Sequence, residues 1–278
     1  KMNMIRDVGA VTNEIIVILD LKSYFSYLTE RNTQRAYDLI DLPTPIRNIL
    51  KAIQTRKKIF MVQNGKISQP ADMHGKFQGT SESCADATLV TIELCQNLKA
   101  TAEGFRLPTV ANQPERTVPA IMQCDDLKLT AGGVGSTPES TIHAIHTLNE
   151  ITQNWAIANN LLFSASNDPQ DTKSVAIVNL KDSQGTPIHH DLDIRVITEH
   201  GFVRVPVLNP NSSHPDLGFK LHATYQHTPL DTFTAAISTL EQRIQYLIAD
   251  DLPIKAQLYS LQVSAMGSIK WLADKGVC

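Results

Sequence analysis

Excess charge of either sign is what this sequence most plainly lacks. Its 25 Lys and Arg stand against 28 Asp and Glu, a formal net charge of −3. That balance counts against a nucleic-acid binder, whose footprint is usually basic. Cysteine is scarce as well. The four cysteines (Cys84, Cys95, Cys124, Cys278) show no C-x-x-C spacing, which argues against zinc fingers and predicts reduced thiols in an intracellular protein. No apolar run approaches the length of a membrane span, so no membrane partner is expected, and no secretory leader pattern is visible. Lys1 in place of Met suggests a fragment or a processed product. What remains is a chain of 278 residues, 42% hydrophobic and 19% charged. Such a chain can bury a real core as one large domain or two modest ones.

The most informative stretch is Ile121-Met122-Gln123-Cys124-Asp125-Asp126-Leu127-Lys128-Leu129. Short apolar runs flanking a polar pair favour strand, turn and strand over helix, so a β-hairpin with Asp125 and Asp126 at its tip is expected. Adjacent carboxylates repel unless a divalent cation lies between them. A hard cation such as Mg²⁺ prefers oxygen ligands and keeps positions open for phosphate oxygens. The pair therefore suggests a metal site for phosphoryl transfer, although most Asp-Asp pairs are merely solvated turns.

Earlier in the chain, residues 14–20 read as five consecutive β-favouring apolar residues ending in Asp20, the pattern of a central strand buried on both faces. Helical spacing follows over residues 33–40. Thr44-Pro45 then opens a further helix, with Ile46, Ile49, Leu50 and Ile53 expected inward. Asn64-Gly65 marks a two-residue hairpin turn. The basic residues Arg56, Lys57 and Lys58 before it read as a solvated face.

Gly75-Lys76-Phe77-Gln78-Gly79 forms a glycine-bracketed loop feeding a helix striped by Leu89, Val90, Ile92 and Leu98. Residues 101–117 look irregular. The glycine run Ala131-Gly132-Gly133-Val134-Gly135-Ser136 lacks a phosphate-loop ending and reads as a flexible connection. Residues 136–160 predict a long helix with Ser136 and Glu139 as its capping box. His143 and His146 on that helix lack further ligands for a metal. Strands are expected at residues 175–178, 194–207 and from 216, and two helices close the chain, with a boundary near Thr228-Pro229.

Four of these pieces, in this order, resemble the reverse transcriptases, more closely those of non-LTR retrotransposons and group II introns. Ile18-Leu19-Asp20-Leu21-Lys22-Ser23-Tyr24-Phe25 looks like the family's first catalytic motif. Gly75-Lys76-Phe77-Gln78-Gly79 is similar to the segment ending in its Pro-Gln-Gly. Gln123-Cys124-Asp125-Asp126 stands where the family has Tyr-Ala-Asp-Asp, and Leu217-Gly218 resembles its primer-grip region.

The resemblance implies an α+β fold: a polymerase palm, an antiparallel sheet with helices on one face, over residues 1–227, followed by a helical thumb over 228–278. It implies an RNA-directed DNA polymerase in which Asp20, Asp125 and Asp126 bind two Mg²⁺ ions, Mn²⁺ being the alternative. By the same resemblance Phe25 is the bulky gate against a 2′-hydroxyl, Gln78 lines the nucleotide pocket, Gly79 lets backbone approach the template, and Lys173 protonates the leaving pyrophosphate. The implied partners are an RNA template, a DNA primer and deoxynucleoside triphosphates. The implied location is nuclear, with mitochondrial as the alternative.

Departures are specific. Gln123 replaces an aromatic residue and Lys76-Phe77 replaces Val-Pro, which predicts altered nucleotide or primer handling. The family's fingers are largely absent from this chain, and their basic residues are expected from the rest of a longer polypeptide. The rival expectation is a degenerate reverse-transcriptase-like domain with a structural or RNA-binding role in a larger ribonucleoprotein assembly. An RNA-templated RNA polymerase with a similar palm is disfavoured, because Phe25 should exclude ribonucleotides.

Overall fold

The computed structural model describes residues 5, 8–9, 11–55, 58–59, 62–63, 66–69, 71–72, 75–76, 81–109, 114–123, 125–166, 172–216 and 219–223, with 238, 241–242 and 245 beyond them. Contacts divide the chain into two compact units, Lys1–Val207 and Leu208–Cys278, where the sequence puts its boundary at residue 228.

The first unit opens with β1 (Asn13–Asp20), then α1 (Tyr24–Tyr27), α2 (Glu30–Leu39) and α3 (Thr44–Thr55). Four two-residue strands follow: β2 (Lys58–Ile59), β3 (Val62–Gln63), β4 (Lys66–Ile67) and β5 (Ala71–Asp72). β2 pairs with β5, and β3 with β4, Gln63 facing Lys66; Asn64 and Gly65, where the turn is expected, lie outside the described residues. Next come α4 (Ser81–Ala100), β6 (Phe105–Arg106), β7 (Thr117–Val118), β8 (Ala120–Gln123), β9 (Asp126–Gly133) and α5 (Pro138–Ala158). The unit ends with β10 (Val175–Lys181), β11 (Pro187–Ile188), β12 (Arg195–Thr198) and β13 (Gly201–Arg204).

β1 is central because its run of branched apolar residues leaves no polar face to give to water. It pairs antiparallel with β9 on one side and β10 on the other. The sheet order is β11-β10-β1-β9-β6-β7, with β8 also on β9. Among the described strands β6 alone pairs parallel, beside Gly132 and Gly133 of β9. The class is thus mixed α+β with a mostly antiparallel sheet. Strand alternation sends Ile15, Val17 and Leu19 to one face, where they join Leu127, Leu129 and Ala131 of β9 and the buried stripes of α4 and α5. Each such buried aliphatic is worth roughly 1.5–3 kcal/mol over leaving it in water. Ile16 and Ile18 alternate to the opposite face and are buried too.

Several local expectations shift. The α5 cap is Thr137, which accepts from the Ser140 N–H in a capping box one residue later than the Ser136 and Glu139 pair. Pro138 dictates this, since its fixed φ and missing N–H suit the first helical position. Ile46 and Ile49 of α3 are exposed rather than inward. The main described neighbour of α3 is α2, so periodicity marks the helix without providing a core beneath it. The segment expected to be irregular contributes β6 and β7. The glycine run is not a flexible connection, because Ala131, Gly132 and Gly133 belong to β9.

In the second unit β14 (Ser213–Asp216) pairs with β15 (Phe219–His222). Leu217 and Gly218 lie outside the described residues, as do nearly all those of the expected thumb helices.

Candidate functional site

Asp20 is the last residue of β1 and Asp126 the first of β9, and the two stand directly opposite in the ladder. The hairpin between β8 and β9 pairs Gln123 with Asp126, so its loop is residues 124 and 125. Asp125 is therefore in the turn, while Asp126 already lies in the strand. Cys124 lies outside the described residues.

Backbone bonds draw four separate segments to this end of the sheet. Leu21 N–H donates to Asp125 O at 3.0 Å, and Ser164 N–H donates to Asp20 O at 2.8 Å. Asp20 N–H donates to Ser174 Oγ at 3.2 Å, and that hydroxyl donates onward to Ser164 O at 2.9 Å. Ser164 and Ser174 thus fix the residue that sequence reasoning singled out, without having been singled out themselves. Nothing in a lone serine announces such a role before the fold is known.

The carboxyl of Asp20 titrates above its ordinary value of 3.8. Partial burial is the main cause, and the negative charges of Asp125 and Asp126 add to it. Two groups oppose the shift: the Lys173 ammonium, 3.8 Å from Asp20 Oδ2, and a hydrogen bond with the Ser164 side chain. Lys173 stands 72% exposed over an Asp20 side chain only 16% exposed, so one partner faces water and the other does not.

Three carboxylates at one strand end supply the oxygen donors that a hard divalent cation takes. Such an ion would favour the ionised Asp20 carboxyl, offsetting both its burial and the repulsion of its neighbours. Among the described residues, however, no group of three or more His, Cys, Asp or Glu side chains is gathered so as to hold a metal. The donor set fits in chemistry and in backbone register, and its side chains would have to turn toward a shared ion. His143 and His146 are both exposed on α5.

The nucleotide-binding candidates are less evenly placed. Phe25 sits in α1, 9% exposed within the main core, with its ring 5.9 Å from that of Tyr24. Ser23, just before α1, has a left-handed backbone (φ 47°), which turns the chain sharply after β1. Gln78 and Gly79 lie outside the described residues, but Gly75 and Lys76 do not. Lys76 N–H donates to Phe25 O at 2.7 Å. A Cβ on Gly75 would stand 2.3 Å from Ser26 O at φ +80°, so only glycine permits this approach.

A scan against protein-family models finds no matching family, and no curated protein matches the chain.

Proposed function

We propose that this chain carries the palm of an RNA-directed DNA polymerase, with the thumb formed by residues 228–278. The observation that carries the proposal is the pairing of Asp20 with Asp126 at one strand end, Asp125 beside them in the hairpin turn. Asp20, Asp125 and Asp126 would hold Mg²⁺, or Mn²⁺ in its place. When bound, two such ions activate a primer hydroxyl and brace a triphosphate for in-line displacement.

The chain's own residues have defined parts. The sheet fixes the backbone of Asp20 and Asp126, and the carbonyl bond to Leu21 fixes that of Asp125, so the three carboxylates start from one strand end and only their side chains turn toward a shared ion. Lys173, exposed and 3.8 Å from Asp20, is a proton donor for the departing pyrophosphate. Phe25, packed beside Tyr24, is held in one place, as a gate excluding a 2′-hydroxyl must be. Gln78 and Gly79, outside the described residues, keep the nucleotide-pocket and template roles that the resemblance implies for them. An RNA template, a DNA primer and deoxynucleoside triphosphates are the proposed partners.

Primer extension on an RNA template by the full-length protein tests this. Asp125→Asn should slow extension by on the order of 10³-fold; an unchanged rate removes that carboxylate from the mechanism. One observation favours a second reading, a retained scaffold or RNA-binding domain: the carboxylates are not already gathered around a metal position. Mn²⁺ titration separates the two, since a scaffold shows no site that depends on Asp20.

A further inference from the structure

Asp86, in the second turn of α4, is buried at the meeting point of three separate segments. Its Oδ1 accepts a hydrogen bond from Tyr37 OH of α2 at 2.6 Å. Its Oδ2 stands 2.7 Å from Lys76 Nζ, and both side chains are 3% exposed. Among the described residues that ammonium has no aligned hydrogen bond, so charge attraction is what ties it to Asp86. The next residue, Ala87, accepts a hydrogen bond through its carbonyl from Tyr24 OH at 2.9 Å. One turn of α4 thus grips the residue beside Phe25 and, separately, the segment that lies against Phe25. A buried charge pair of this kind adds little net stability over apolar packing, yet losing one partner is costly. Conformational specificity is the remaining use for it, as where a buried polar contact fixes one register.

We propose that Lys76 is a positioning residue: through its buried ion pair with Asp86 it latches the Gly75–Lys76 segment to the backbone of Phe25 and Ser26, and so holds the Phe25 gate in its place. The latch rests on the polymerase reading above. It explains why a lysine can stand where the resembled family has an apolar residue. The departure replaces a rigid link with a charged one anchored in the neighbouring helix. The reacting groups on the strand end are untouched by it, so the latch governs how the nucleotide is seated and not the chemical step.

The test uses the full-length protein in single-nucleotide primer extension with deoxy- and ribonucleoside triphosphates. Lys76→Met combined with Asp86→Asn is the main variant, because it removes both charges of the pair together and keeps an acceptor for Tyr37. The expected result is a KM for deoxynucleotide raised about tenfold and sugar discrimination reduced about tenfold, with kcat within about threefold of wild type. Hydrogen exchange at the Lys76 amide, which donates to Phe25, should quicken while that of Val17 in β1 does not. Lys76→Arg keeps the charge and should restore most of the discrimination. If wild type extends primers and the double variant keeps both its discrimination and its slow Lys76 exchange, the latch alone is overturned. If wild type fails to extend any primer, the polymerase reading falls and the latch falls with it.

Discussion

The ladder between β1 and β9 has two ends, and they are built to opposite requirements. At one end Asn13 faces Gly133 and Glu14 faces Gly132. Both glycines have positive φ, and a Cβ would stand 2.1 Å from Asn13 O on Gly132 and 2.2 Å from Arg106 O on Gly133. The Asn13 side chain donates to Ser136 O and accepts from Lys181 N–H, each at 2.8 Å. The carboxylate of Glu14, buried there, accepts from Asn179 at 3.3 Å. That end is closed by backbone against backbone. At the other end Asp20 faces Asp126 with Asp125 alongside, and partial burial, with those like charges adding to it against Lys173, raises its carboxyl above the ordinary value. Eight paired residues therefore join a region of close backbone approach to one where Asp20, Asp125 and Asp126 stand near one another, offset in part by the exposed Lys173 ammonium. Such a gathering of charge at a strand end is what a site for a cation and a phosphate requires.

Breaking the closed end should have the largest effect in the fold. Gly132→Ala places a side chain at a strained φ and against backbone, and should cost about 3 kcal/mol of stability or more. Urea denaturation measures this, and an unchanged midpoint would show that the close approach is not needed. Next comes the exposed partner at the open end. Lys173→Met should slow primer extension by on the order of 10²-fold and remove one limb of its pH profile. Removing that ammonium should also push the Asp20 carboxyl higher, which carboxylate NMR would detect.

The smallest effect is on stability at the open end, and its sign is opposite to that at the closed end. The folded chain holds the Asp20 proton more tightly than the unfolded one. Its contribution to stability is therefore fully present below pH 3.8 and is lost as pH rises through the folded value. Asp20→Asn should accordingly raise Tm at pH 7 by a few degrees, discounted for solvent screening, while activity collapses. The gain should shrink as pH is lowered toward 4. A variant less stable than wild type at pH 7 would mean the strand end is not under charge strain.

Much of the central architecture was legible because it depends on local pattern. The run Ile15 to Leu19 reads as a buried strand, the polar pair at 125–126 reads as a hairpin, and α5 follows from its 3.6-residue stripe. What escaped depends on partners distant in sequence. The glycines at 132 and 133 look like punctuation, yet they are set by Asn13 and Arg106, which no window around them contains. Ile46 and Ile49 carry a helical stripe, but a stripe says nothing about whether a partner stands opposite. At the candidate site the three aspartates and Lys173 could be named in advance. Ser164 and Ser174, which hold the Asp20 backbone, could not, nor could the Lys76–Asp86 pair, since serine, lysine and aspartate are ordinary surface residues until burial makes them otherwise.

The central placement of β1 has a consequence for how the protein is made. Asp20 and the Ser174 that anchors its amide are 154 residues apart, and both strands flanking β1 come from far downstream. At roughly 5–20 residues per second, synthesis leaves the nascent Ile15 to Leu19 segment with neither flanking strand for roughly 5–20 s and without β10 for roughly 8–30 s. An unpaired, branched apolar strand is a template for aggregation. This protein should therefore depend on chaperone shielding during translation, and chaperone co-expression should raise its soluble yield.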